Sequence, residues 1–230
     1  MRVLLWDIDG TLINSDGAGM YAWLQALEEE NGRTLTVGGM NLAGLTDRII
    51  ARISIEEILR REYSEALADR LLERYVELLP QWLERRTDGY VMPGVRAILE
   101  HAQGLSDTAL ALLTGNVESG ARLKLEHYGL LDFFEWGAFA DDAIERRDIA
   151  GEARRIAEER YGADSVDSLF VIGDTAHDID CGKFIGAHTV AVGTGSFTAA
   201  KLAAHDPWWA IEQLPAARVF FARLDALGDG

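Results

Sequence analysis

A doubly wound α/β core built on a parallel sheet, interrupted early by a helical insertion, is the fold predicted by this sequence. Three observations lead to it. The short apolar runs Val3–Trp6, Ala109–Leu113, Leu169–Ile172 and Thr189–Val192 are continuous rather than alternating, as strands buried on both faces are. Helical stretches between and after them stop at glycine, so strand and helix alternate from about residue 93 onward. The segment from about 15 to 92 breaks that alternation and reads as nearly all helix.

Taken in order, Val3–Trp6 is the first strand, and the insertion follows it at once. Met20, Trp23, Leu24 and Leu27 mark one amphipathic face that ends at Asn31-Gly32. A second pattern runs through Leu59, Tyr63, Leu67, Leu71, Tyr75, Leu78 and Trp82 at spacings of three and four, with Pro80 expected to kink or end it. Asn14–Gly19 and Asp88–Gly94 are turn-forming stretches suited to be hinges. The division expected is therefore a core of residues 1–14 and 93–230 and a helical unit of residues 15–92. In the core, helices are expected at Val95–Gln103, Ser119–Tyr128, Ile149–Tyr161 and Ile179–Ile185, each stopped by the glycine that follows.

Composition narrows the function. The 230 residues are 48% apolar, enough for a substantial core, which excludes disordered and fibrous chains. Thirty-eight acidic against 22 basic side chains leave a formal charge of -16 and a pI near 4.7, so nucleic acid and anionic membrane are poor partners. The single cysteine, Cys181, allows neither an internal disulfide nor a CxxC site and fits a reducing cytoplasm. Met1–Trp6 runs straight into acidic residues, too short an apolar stretch for a signal peptide.

Three stations carry chemistry. Trp6-Asp7-Ile8-Asp9-Gly10-Thr11-Leu12 places two carboxylates, one residue apart, where a buried strand ends. Such ends are where α/β sites form, although Asp-Gly is also ordinary turn chemistry. Leu113-Thr114-Gly115-Asn116 ends another strand with a hydroxyl and free amides, which can hold a phosphate oxygen or simply start a helix. Ile172-Gly173-Asp174-Thr175-Ala176-His177-Asp178 delivers further acids to the same edge, and strand ends bearing acids suit a hard cation such as magnesium.

Together these stations, in this order and with a helical insertion after the first, resemble the haloacid dehalogenase (HAD) superfamily, in its phosphoglycolate-phosphatase-like branch with a helical cap. The resemblance spans nearly the whole chain and implies a Rossmann-like HAD core. It implies that Asp7 is the nucleophile, forming an aspartyl-phosphate, and that Asp9 is the general acid and then the general base. It places Mg2+ on the Asp7 side chain, the Asp9 carbonyl and Asp174. Thr114 would bond the phosphoryl group, with Gly10, Thr11, Gly115 and Asn116 around it, and Asp178 would orient the site from behind. In the cap, Gly44-Leu45-Thr46-Asp47 matches a loop that faces the site, so Thr46 is a candidate to read the leaving group as well as an ordinary helix N-cap.

The family's third motif, expected between Phe133 and Phe170, departs from the common pattern, which has a lysine. The chain has only Lys124, Lys183 and Lys201, on a helix after Thr114, after the Asp174–Asp178 station and near the C-terminal end. The role falls instead on Arg146, with Arg147 as the alternative, as in relatives with arginine followed by Asx and an aliphatic residue. His177 reads as a surface residue, and Cys181, Trp82 and Trp208-Trp209 as packing residues.

The expected function is a magnesium-dependent phosphatase of a small phosphorylated metabolite, of phosphoglycolate or sugar-phosphate type, acting as monomer or homodimer. Asp9 argues against a dehalogenase, and the absence of lysine from residues 15–92 argues against a phosphonatase. A phosphomutase keeps the same motifs, and a non-catalytic phosphate-binding member of the family is the remaining alternative.

Overall fold

The computed structural model describes residues 1–35, 44–141, 145–163 and 168–227. Its sheet begins with β1 (Arg2–Trp6). A two-residue β2 (Ile13–Asn14) leads into helices α1 (Ala18–Asn31), α2 (Asp47–Ile53) and α3 (Glu65–Arg85), and β3 (Tyr90–Val91) returns antiparallel to β2. There follow α4 (Val95–Gln103), β4 (Thr108–Leu113), α5 (Glu118–His127), β5 (Trp136–Ala138) and α6 (Arg146–Tyr161). The chain then runs through β6 (Ser168–Gly173), α7 (Ala176–Phe184), β7 (His188–Val192), α8 (Ala199–Ala203), β8 (Trp209–Ile211) and α9 (Ala217–Asp225). The main sheet has the order β5-β4-β1-β6-β7-β8 with every neighbouring pair parallel.

Continuous apolar strands are explained by what lies on each face. Leu4 and Trp6 of β1, with Leu110, Leu112, Phe170 and Ile172, pack against α4, α5 and α9. Val3 and Leu5, with Ala109, Ala111, Leu169 and Val171, pack against α6 and α7. Successive side chains thus feed opposite cores, and neither face tolerates polar residues. On α6 the buried face is Ile149, Ala150, Ala153 and Ala157, small residues that bring the helix close to the sheet.

The inserted helices form their own apolar cluster, in which α1, α2 and α3 bury Trp23, Leu27, Ala51, Leu71, Tyr75 and Leu79, joined by Ile55 of the π-helical turn Ser54–Ile58. Two expectations for this segment need correction. Met20 is 60% exposed, because Ala18, Ala22 and Ala26 together with Trp23 and Leu27 set the buried face of α1. Pro80 lies inside α3 without ending it, since Leu83 continues beyond it the buried face that Leu78 and Leu79 carry up to it, and packing on α1 outweighs the lost backbone bond. Ser64 starts that helix by accepting from the Leu67 amide, so Leu59 and Tyr63 belong to the turns before it.

Candidate active site

Three adjacent strands deliver the site. β1 hands on to Asp7, whose amide still donates to Ile172 O at 3.0 Å; β4 ends before Thr114, and β6 before Asp174. β1 lies between β4 and β6, where the order of strands along the chain reverses, so these ends open into one crevice. Asp7, Thr114 and Asp174 are all buried there.

Beyond Asp7 the chain doubles back. Gly10, at φ 86, donates its amide to Ile13 O at 2.8 Å, and the Thr11 hydroxyl donates to Asp174 Oδ1 at 3.2 Å. Asp174 sits in a seat that excludes side chains: a Cβ on Gly10 would lie 2.5 Å from its Oδ2, and one on Gly195 1.7 Å. Thr194 closes the seat by donating to Gly10 O at 2.7 Å. Neither Thr194 nor Gly195 is marked by a motif in the sequence.

Asp7, Asp174 and Asp178 offer oxygens that all lie within 4.8 Å of one another. Asp178 Oδ2 accepts from the Thr175 amide at 3.0 Å and its hydroxyl at 2.6 Å, the capping box of α7, while its Oδ1 accepts from Arg146. Arg146, the first residue of α6, also reaches Asp7 Oδ1 at 3.3 Å and Gly44 O at 3.2 Å. Arg147 is exposed, its guanidinium over the Phe184 ring, so of the two arginines only Arg146 meets Asp7.

One guanidinium does not balance three buried carboxylates. Burial, reinforced by Asp178, pushes Asp7 up to about 7; burial, with Asp178 and Asp7, pushes Asp174 up to about 8. The cluster therefore binds protons near neutral pH unless more positive charge joins it. Hard oxygen donors at this spacing could hold a metal ion.

The sign of the pH effect follows. Both groups bind protons more tightly folded than unfolded, where the ordinary value is 3.8, so stability falls as pH rises from about 4 through 8. With a chelator present, the melting temperature of the wild type should drop over that range more steeply than that of Asp174→Asn. Equal slopes would refute the linkage.

Asp9 is held from the other side. Its Oδ2 accepts from Asn116 Nδ2 at 2.9 Å and from Lys124 Nζ at 2.5 Å, and Lys124 also donates to Asn116 Oδ1 at 2.7 Å. Asn116 reaches Thr114 Oγ1 as well, at 2.8 Å, and Thr114 is hydrogen-bonded to Asp7, so one network joins the first two stations. Lys124 is 4% exposed; burial opposes its charge, but Asp9, Tyr75 and Asp47 outweigh that and its pKa is raised. Sequence reasoning set this lysine aside. Its place with Gly120, Ala121 and Leu125 on the buried face of α5, at spacings of three and four, was the available clue.

The loop before α2 docks on the second station. The Asp47 amide donates to Gly115 O at 2.8 Å, and its carboxylate accepts from the Val117 amide at 2.9 Å. Burial pushes Asp47 up to about 6. Gly115 has no room for a side chain, because a Cβ would meet Leu45 O at 2.8 Å and Arg146 Nη1 at 3.1 Å. Thr46 is buried, and its hydroxyl caps α2 by accepting from the Ile49 amide at 3.1 Å. Gly44, Leu45 and Asp47, rather than Thr46, line the cavity, which also takes in Asp7, Asp9, Gly10, Gly115, Asn116, Arg146 and Asp174.

The haloacid dehalogenase-like hydrolase family model matches residues 4–183. The chain is 27% identical over 213 residues to the probable phosphatase IndB of Dickeya dadantii, covering 89% of this chain and 86% of that protein. It is 27% identical over 222 residues to the pyrophosphatase PpaX of Halalkalibacterium halodurans, covering 94% of each. Among solved structures, a predicted phosphoglycolate phosphatase from Haemophilus somnus superposes with a TM-score of 0.72 at 16% identity, over 97% of this chain and 98% of that one. A β-phosphoglucomutase from Clostridium difficile gives 0.72 at 15% identity over 100% of both. With the family match extending from β1 into α7, across all three stations, the chain belongs to the haloacid dehalogenase-like hydrolase family, alongside its phosphatase relatives.

Proposed function

We propose that this protein hydrolyses a phosphomonoester of a small metabolite through an aspartyl-phosphate on Asp7. The observation that supports it most is the convergence of Asp7, Asp9 and Arg146 on one cavity, with the two aspartates held by different cations, Asp7 by Arg146 and Asp9 by Lys124. Asp7 Oδ attacks phosphorus as the bond to the leaving oxygen breaks. That oxygen takes a proton from Asp9; because Oδ2 already accepts from Lys124 and Asn116, Oδ1 is the oxygen left to carry it. Water then attacks phosphorus, gives its proton back to Asp9, and releases inorganic phosphate and Asp7. Arg146 bonds Asp7 and the phosphoryl oxygens, while Asp178 holds the guanidinium in place.

The donor chemistry fits Mg2+, with Asp7, Asp174 and the Asp9 carbonyl as the residues that would hold it; when bound, it neutralises the nucleophile and the phosphoryl oxygens. The helices of residues 15–92 act as a cap hinged at the β2–β3 ribbon, and docking of Gly44–Asp47 excludes water from the site. Cys181 is buried and unpaired, in keeping with a reducing cytoplasm.

Purified protein should release inorganic phosphate from 4-nitrophenyl phosphate with magnesium, lose at least about 100-fold of that rate in excess chelator, and regain it on adding magnesium. An undiminished rate in chelator would refute the metal assignment. Isomerisation of a sugar phosphate without phosphate release would mark a mutase instead.

A further inference from the structure

The cavity over Asp7 holds about 670 Å3, far more than a phosphate group with a two-carbon acid needs. Besides the strand-end residues, its lining includes Met20, Trp23, Leu45, Ile50, Tyr75 and Lys124. Trp23 donates its indole N–H to Ser54 at 3.0 Å and meets Tyr75 edge-on, so it offers carbon to the cavity. The Tyr75 hydroxyl is turned to Lys124.

Among the described residues, Arg146 and Lys124 are the two cations that line this cavity, and residues 36–43, 142–144, 164–167 and 228–230 contain no lysine, arginine or histidine. Each cation already has its anion: Arg146 serves Asp7 and Asp178, and Lys124 serves Asp9. Asp47 adds a further carboxyl to the same space. A second anionic group on the substrate would find no unpaired cation and several acids, a mismatch that selects against it.

Resting on the phosphatase reading above, we infer that the substrate is the phosphate monoester of an uncharged, ring-sized alcohol with an apolar face. Phosphorylated acids, pyrophosphate and bisphosphates are the excluded class. The sugar-phosphate type remains within the inferred class, and the phosphoglycolate type falls among the excluded.

Phenyl phosphate and 4-carboxyphenyl phosphate form the test pair, since the carboxylate improves the leaving group slightly and so biases the chemistry against the expectation. In the wild type, kcat/KM should favour phenyl phosphate by about 10-fold or more, carried mainly by KM. Met20→Arg, at a position 60% exposed and so tolerant of the change, should narrow that ratio by about 5-fold by supplying the missing cation. Equal or better turnover of the carboxylated ester by the wild type would overturn the inference alone, because Lys124 would then have left Asp9 for the substrate. A ratio unmoved by Met20→Arg would also count against it. Hydrolysis of neither ester would overturn the phosphatase reading and this inference with it.

Discussion

Asp7→Asn should lose phosphatase activity by about 1,000-fold or more while keeping the fold, because an amide cannot form the covalent intermediate and nothing else in the crevice stands in its place. The variant should also be no less stable than the wild type when magnesium is absent. Asp7 is buried beside Asp174 and Asp178; burial and the Asp178 charge push its carboxyl up to about 7, and the one guanidinium is shared between Asp7 and Asp178. Replacing it by a neutral isostere removes that repulsion, and Arg146 keeps Asp178. Activity lost together with a lower melting temperature in chelator would point to a structural role. Activity retained would remove Asp7 as nucleophile.

The second large effect is expected at Lys124. Lys124→Met keeps the stem and removes the ammonium that holds Asp9 Oδ2, leaving Asn116 as its remaining partner. Because Asp9 is half-buried and partly screened, the stability cost should be about 1–3 kcal/mol, below that of breaking a fully buried pair. A general acid that loses its orientation should lower kcat by about 10- to 100-fold with little change in KM. Lys124 acts through Asp9 as a positioning residue, so in an Asp9→Asn background the same substitution should change kcat less than about 2-fold. Multiplying effects in the double variant would show that Lys124 works by another route.

The core was readable in the sequence because strands buried on both faces leave continuous apolar runs, and four such runs mark β1, β4, β6 and β7. The edge strands β5 and β8 were not readable: each has three residues, too few to show a period, and β8 is only half-buried. Helix starts were read late, at Ile149 for α6 and Ile179 for α7, since their first turns are polar and serve the site rather than the core. Arg146 was reached through the family resemblance, and Asp7, Asp9, Thr114 and Asp174 announce themselves by position at strand ends. Lys124 and Gly195 do not. One reaches the site from the middle of α5, and the other matters only for the side chain it lacks, so both become visible only when the chain is folded.

The covalent step through Asp7 is the centre of this account, and it can be caught directly. Asp9→Asn, mixed with magnesium and 4-nitrophenyl phosphate, whose leaving group departs without a proton, should accumulate the acyl phosphate because the second step lacks its base. Rapid quenching, borohydride reduction and peptide mass spectrometry should then find residue 7 converted to homoserine. Homoserine at another aspartate, or continued phosphate release with no reducible adduct at residue 7, would contradict it.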